Sequence, residues 1–287
     1  MNVQVKEYSF IAEFIDGYSF RNLFEYLKGY HDVGQFTFKS DGIHFIRSNN
    51  KADLINEFWI KAKELTLYEF NESSPITKGV DVALFKAAVA IIGKKDSVKW
   101  SLFKNSDSFN IQLMGHNNKD YDGNIQKIPI KNIEEQEIEM DECKRSLDDP
   151  NFVWPLSDVA KSCKPISTGC SHIYIYQYKK GIKIEKNING TAGEHFCKFG
   201  RIDEKDNLDN QLSSMSISQS STSSATVNRI KIRSENIKNL HKINNLSEKT
   251  NMRFYFEESG NQFIRLSCNI GCYGLLTIYM LNVNDEK

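Results

Sequence analysis

Nowhere in these 287 residues do as many as about eighteen apolar residues run together, so the sequence offers no candidate membrane-spanning helix. The opening stretch, Met1–Phe10, holds Lys6 and Glu7 and has no apolar central segment, which predicts no secretory signal. Six cysteines are scattered (Cys143, Cys163, Cys170, Cys197, Cys268, Cys272), and none forms a CxxC pair. That pattern reads as reduced, partly buried thiols in an intracellular protein, ahead of zinc or disulfides. His31, His44, His116, His172, His195 and His241 show no HxH or HExxH spacing, so the sequence holds no metal motif. No GxxxxGK[ST] or GxGxxG occurs, so no nucleotide or cofactor site is visible. Asn189-Gly190-Thr191 matches a glycosylation sequon, which an intracellular chain would leave unused. The 37 basic side chains balance the 37 acidic ones, so contact with nucleic acid would need a local cationic patch.

What is present is one architecture written twice. Ser19–Lys28 reads as a helix, followed by the strand-turn-strand Phe36–Phe45 around Asp41-Gly42. Ser157–Lys164 reads as a second such helix, followed by Ile173–Ile184 around Gly181. Ser19 to Ser157 is 138 residues and Gly42 to Gly181 is 139, a domain-sized period. The length suits two domains of roughly 100–150 residues, each with its own core.

Further strand-like runs are Tyr8–Ile15, Glu57–Ala62, Val98–Phe103, Phe109–Met114, Met252–Phe256 and Phe263–Ser267. Asn105-Ser106-Asp107 and Ser259-Gly260-Asn261 are hairpin turn signals. Between Val98 and Met252 the offset has grown to 154. The Ser-, Asn- and Gln-rich stretch 207–226 accounts for the growth as a mobile loop insertion. Four helices are predicted. The first has Ser19 as N-cap and Phe20, Leu23, Phe24 and Leu27 on one face. The second runs from the cap Asp81 to Gly93, burying Val82, Phe85, Val89 and Ile92. The third starts at Ser157 and stops before Pro165, and the fourth starts at Ser234 and buries Ile237, Leu240 and Ile243. The fold class is therefore α+β: two similar domains, each with two short helices packed on antiparallel sheets. Expected boundaries are 1–131, an acidic connector 132–150, and 151–287. The connector reads as a solvated linker or as an acidic-edged docking strip.

In its ordered series of elements the chain resembles the sliding clamps of the proliferating cell nuclear antigen type. Leu23–Lys28 follows that family's Leu/Val-Leu-Glu-Ala-Leu-Lys pattern. Phe36-Thr37-Phe38 through Asp41-Gly42-Ile43 is similar to its strand-Asp-Gly-Ile hairpin. Pro75–Val80 resembles the lead into its second helix, and Gly274–Leu281 with the acidic tail resembles its last strand. The resemblance implies a DNA-clamp fold and a homotrimeric ring around double-stranded DNA, with helices lining the hole, performing no chemistry and using no cofactor. It implies a processivity factor that docks DNA polymerase and other proteins carrying a clamp-binding motif, and that a clamp loader places on DNA. Its location would be the nucleus, or a cytoplasmic site of viral replication if the source is a large DNA virus. The Asn-, Lys- and Ile-rich composition fits an AT-rich genome, viral or protist.

Arg21, Lys28, Lys161, Lys164 and Lys242 match basic family positions that face DNA, and Lys238 is an addition. Taken singly each reads equally as a solvated helix face. The second helix departs, with Ala87 and Ala90 where the family has lysine and only Lys94 and Lys95 following. Ring closure would pair the edge strands Ile125–Lys131 and Glu194–Gly200 of successive subunits, with Ile125, Ile128, Ile130, Phe196 and Lys198 in the contact. Pro129 lies in the first of these and donates no ladder hydrogen bond, which is tolerable only where its nitrogen faces away from the partner. Leu54, Ile133, Ile138, Met140, Tyr279 and Leu281 match the pocket for partner motifs, or are anchors to the sheet. The family's Leu-Gly-Ile-Pro is here Gln136-Glu137-Ile138-Glu139. Two alternatives stand beside this: a clamp-fold protein that is monomeric or hetero-oligomeric and serves checkpoint or transcription, and an enzyme with an unfamiliar Cys/His site.

Overall fold

The computed structural model describes residues 7–115, 125–131, 133, 138, 146–178, 180–186, 196–202, 228–247, 250–256 and 263–283. The stretch 207–226, the turn Ser259–Asn261, the sequon, Met140, Cys143, His116, His195 and most of 132–150 lie outside the described residues. The chain divides into two units. One comprises Met1–Asp141, Lys242–Thr250 and Ser267–Ile278; the other comprises Glu142–His241, Asn251–Leu266 and Tyr279–Lys287.

The first unit runs β1 (Tyr8–Phe14), α1 (Gly17–Leu27), β2 (Val33–Lys39), β3 (Gly42–Ser48), β4 (Leu54–Lys61) and β5 (Leu67–Phe70). It continues with β6 (Ile76–Asp81), α2 (Val82–Val89), β7 (Ser97–Phe103), β8 (Ser108–Met114) and β9 (Ile125–Lys131). Neighbours in the sheet follow the order β4-β3-β2-β6-β9-β8-β7-β1-β5, all antiparallel. The second unit contains β10 (Phe152–Pro155), α3 (Leu156–Ser167), β11 (His172–Tyr178), β12 (Lys180–Lys186), β13 (Phe196–Arg201), β14 (Asn228–Arg233), α4 (Ser234–Lys238) and β15 (Asn251–Phe256). β16 (Phe263–Ile270) and β17 (Gly274–Leu281) close the chain.

The repeat read in the sequence is repeated in pairing. β2 bonds β3 on one side and β6 on the other, and β11 bonds β12 and β14 in the same way. The two glycines 139 residues apart serve one purpose. A Cβ on Gly42, at φ +145, would lie 2.0 Å from the Ile60 carbonyl oxygen of β4, and one on Gly181 would lie 2.7 Å from the Phe199 oxygen of β13. Both hairpins need a residue without a side chain where the next strand's backbone passes.

The cores differ in chemistry. In the first unit Trp100 is wholly buried, with Phe10, Phe36, Phe38, Phe85 and Phe109 packed edge-on or tilted around it at 5.1–5.6 Å. In the second, the inward face is isoleucine: Ile173, Ile175, Ile182, Ile184, Ile230 and Ile232 are all buried. Alternation along HIYIYQY, KGIKIEK and NRIKIR places these on one face, with buried Gln177 among them, and Tyr174, Tyr176, Lys183, Glu185, Arg229 and Lys231 on the other.

Helix ends correct four expectations. The N-cap of α1 is Asp16, not Ser19: Asp16 Oδ1 accepts the Ser19 N–H at 3.0 Å, which leaves Ser19 inside the first turn. Asp81 caps α2 as expected, accepting from Ala83 and Leu84 at 2.9 and 3.0 Å. That helix ends at Val89 rather than Gly93, whose N–H is taken by Asp96 Oδ2 at 2.8 Å. α3 continues through Pro165 to Ser167. The Ser167 and Thr168 hydroxyls both donate to the Lys164 carbonyl, at 3.0 and 2.8 Å, and buried Ile166 anchors that last turn. α4 begins at Ser234 but has only five residues before a 3₁₀ stretch, Asn239–Asn245. Ile237, Leu240 and Ile243 are nonetheless buried as expected.

Candidate nucleic-acid interface

In the first unit α1 carries Arg21 and Glu25, with Lys28 at its C-cap. Arg21 is half-buried; its Nη1 donates to the Ile92 carbonyl at 2.9 Å, and its guanidinium lies 5.9 Å from the Tyr18 ring. Lys94 Nζ is 5.8 Å from the same ring, so Tyr18 lies close to two cations. Lys28, at the C-cap, pairs with Asp32 at 2.7 Å on the surface. That pair holds the Asp32 carboxyl below its usual range. Glu25 pairs with Lys86 of α2 at 3.1 Å. Burial lowers the affinity of Lys242 for its proton; Glu25 opposes that shift and Lys86 adds to it, so the three charges share one neighbourhood.

This unit therefore carries three cationic groupings: Arg21 and Lys94 beside Tyr18, Lys28 with Asp32, and Lys86 and Lys242 around Glu25. Lys86 and Tyr18 escaped the sequence reading. Lys86 was visible as the sole charge in Val82–Val89, but its pairing with Glu25 needs the packing of α2 on α1. In the second unit Lys161 and Lys164 stand exposed on α3 while Cys163 between them is buried, and Lys238 is exposed at the end of α4. Flexible cations on helix faces with only surface pairing can meet phosphates without reading bases.

The two edge strands are present. β13 pairs only with β12 among the described residues, and Phe196 is 44% exposed. β9 pairs with β8 over Ile125–Pro129 and with β6 only at Ile130 and Lys131. The Ile130 N–H donates to the Asp107 carbonyl at 2.7 Å, toward β8. Successive residues of a strand alternate sides, so the nitrogens of Ile125, Lys127 and Pro129 face away from β8. Pro129 thus spares the β8 ladder but does not meet the condition set for ring closure: its nitrogen faces the outer edge, where a partner strand would find one donor missing. Ile125 is 53% exposed, whereas Ile128 is buried and Ile130 half-buried.

Of the residues matched to a partner pocket, Leu54 is fully buried and Tyr279 nearly so; Ile133, Ile138 and Leu281 are half-buried, and Met140 lies outside the described residues. Leu54 therefore offers a partner no side-chain surface in this conformation. No group of three or more His, Cys, Asp or Glu among the described residues could hold a metal ion. Two buried or half-buried thiols are held protonated: burial raises Cys163 far above its ordinary value and pushes Cys197 up to about 12.

Two sheet-rich units repeating one strand-helix-hairpin order, with cationic helix faces, define a DNA-clamp fold. That fold is the one found in clamps of the proliferating cell nuclear antigen type. The structure superposes on a proliferating cellular nuclear antigen from Entamoeba histolytica with a TM-score of 0.73 at 14% identity, over 96% of this chain and 100% of that one. It also matches a PCNA2–PCNA3 complex from Sulfolobus tokodaii with a TM-score of 0.69 at 16% identity, over 95% and 98% of the two chains. No protein-family model matches the sequence, and no curated protein does.

Proposed function

We propose that this chain is a sliding clamp: a protomer of a closed ring that encircles double-stranded DNA and tethers a DNA polymerase and other replication or repair proteins to it. The observation that carries the reading is the clamp fold over nearly the whole chain combined with Arg21, Lys28, Lys161, Lys164, Lys238 and Lys242 on its helices. In this reading the clamp domains are 1–131 and 151–287, joined by 132–150. A homotrimer forms by pairing the outer edge of β9 with β13 of the next subunit, with one ladder bond missing at Pro129. A loader opens the ring, and partner motifs dock beside Ile133, Ile138, Met140 and Leu281. The ring performs no chemistry and works within the cell wherever DNA is copied.

Retention on DNA tests this. Wild-type rings placed by a loader should persist on a nicked circular plasmid and escape from a linear fragment with free ends. Reversing Arg21, Lys28, Lys161 and Lys164 to Glu should weaken retention and cut the salt slope by up to about 0.9 for each phosphate no longer neutralised. Equal escape from circle and fragment would reject the ring; unchanged slope would reject those four cations.

A second reading has an observation of its own. The Sulfolobus structure is a complex of unlike clamps, and Ala87 on α2 and Ala90 at its C-cap are exposed where lysine is expected. A hetero-oligomeric clamp would stay below trimer mass alone and reach it only with its partners, which sedimentation at high concentration decides.

A further inference from the structure

The outward face of the four-stranded sheet in the second unit is a grid of rings and cations, of which the clamp reading uses only Phe196 and Lys198, on the β13 edge. The cross-strand registers set two parallel rows. One runs Lys231, Tyr174, Glu185, Phe196 across β14, β11, β12 and β13; the next runs Arg229, Tyr176, Lys183, Lys198. Every ring has a cation beside it. The Arg229 guanidinium lies 4.9 Å from the Tyr174 ring, and Lys183 Nζ lies 5.5 Å from Tyr176 and 5.0 Å from Phe196. Lys198 Nζ lies 5.5 Å from Phe196. Glu185 is the sole carboxylate of the two rows and is paired with Lys183 at 2.8 Å. Four cations against one acid leave a net +3 (4 − 1) on the face of a chain whose total charge is zero. Phe196, Lys198 and Arg229 are exposed, and Tyr174 and Tyr176 are half-buried.

We propose that this sheet face binds single-stranded nucleic acid without sequence preference. The chemistry calls for an anionic ligand that also carries flat apolar groups at short intervals. Tyr174 and Tyr176 are two residues apart on one strand, hence roughly 6.7 Å apart along it. That interval lets successive unstacked bases meet successive rings, with a cation at each ring for the phosphate. An acidic polypeptide would satisfy the cations but leave the rings without planar partners. A duplex would hide its base faces and bring only phosphates. The binding face and the β13 edge do not compete. Ladder hydrogen bonds lie in the plane of the sheet, while these side chains stand perpendicular to it. The binding is independent of ring formation and is read on the free protein.

Anisotropy of a labelled oligothymidylate of roughly 16 nucleotides, titrated with the full chain, tests it. Phe196→Ala and Tyr176→Ala should each weaken binding by roughly tenfold. The paired change Lys198→Gln with Arg229→Gln touches only exposed side chains and so keeps the fold even if loss of a half-buried tyrosine does not. It should weaken binding and lower the salt slope by up to about 1.4, for two phosphates. Reversal of Arg21, Lys28, Lys161 and Lys164 should leave this binding intact. The proposal fails if the wild-type chain does not bind at low salt, or if only the helix reversals abolish binding. It fails as well if polyglutamate binds as tightly with the same dependence on Phe196 and Tyr176, which would assign the face to an acidic polypeptide.

Discussion

Lys131 Nζ, at the end of β9, donates to Asp81 Oδ2 at 2.9 Å, while Asp81 Oδ1 caps α2. One carboxylate thus joins the start of a helix to the strand whose outer edge is proposed to meet the next subunit. Lys131 and the two backbone N–H donors hold the Asp81 carboxyl below its ordinary range. Replacing Asp81 by Ala removes cap and pair together and should cost about 1–2 kcal/mol. Asp81→Asn keeps a capping oxygen and should lose under about 1 kcal/mol, the part owed to a half-exposed ion pair. Urea unfolding of both variants measures the difference; equal losses would mean that the pair, not the cap, matters.

His31 supplies a pH dependence. It is 4% exposed, its Nε2 lies 2.9 Å from the Asn56 amide nitrogen, and Asn56 accepts from the Tyr26 hydroxyl at 2.6 Å. Burial, with the Arg47 charge adding to it, lowers the His31 pKa to about 4. Between that value and the unfolded value of about 6.5, the unfolded chain binds the extra proton. Stability is therefore full above about pH 6.5 and falls as pH drops toward 4, by up to about 3 kcal/mol. Melting temperatures from pH 7.5 to 4.5 should show this slope, and His31→Gln should flatten it.

Trp100 is packed by rings on every side, and among the described residues its Nε1 finds no acceptor. A buried orphan donor costs about 1–3 kcal/mol, so replacing indole by phenyl removes a penalty as well as volume. Trp100→Phe should cost less than about 1.5 kcal/mol, whereas Trp100→Ala should cost about 3–5. Denaturant midpoints compare the two, and a Phe variant as unstable as the Ala variant would show that the indole N–H is bonded after all.

The strand alternation of β9 makes a paired prediction for assembly. The Lys127 nitrogen faces away from β8 and the Ile128 nitrogen faces toward it. Lys127→Pro should lower the mass of the assembled protein while leaving its melting temperature as a monomer nearly unchanged. Ile128→Pro should break the β8 ladder and lower both. Sedimentation and calorimetry read the two effects. A Lys127→Pro protein of unaltered oligomeric mass would exclude the outer edge of β9 from the contact.

Much of the fold was legible because periodicity is local. HIYIYQY alternates, so its isoleucines had to share a face, and Phe20, Leu23, Phe24 and Leu27 recur at helical spacing and are buried. β9 spans the predicted Ile125–Lys131. Helix ends were less legible, because a cap is a competition among nearby side chains. Asp16 displaced Ser19 at the first turn, and two hydroxyls carried α3 past Pro165. Within the candidate site the sequence exposed the lysines but not their company. Glu25 meets Lys86, and Lys94 meets Tyr18, only through packing between residues far apart in the chain.

The sequence by itself determined the duplicated order of strands and helices, the two cores and the glycines at 42 and 181. All of these follow from side-chain period and the absence of a Cβ, properties each residue carries with it. Only the tertiary structure decided which way the Pro129 nitrogen points, which cations on the helices are already paired, and that Tyr174, Tyr176 and Phe196 share one cationic face. Those are questions of register and contact. They depend on which strand lies beside which, and a linear pattern carries no record of that neighbour.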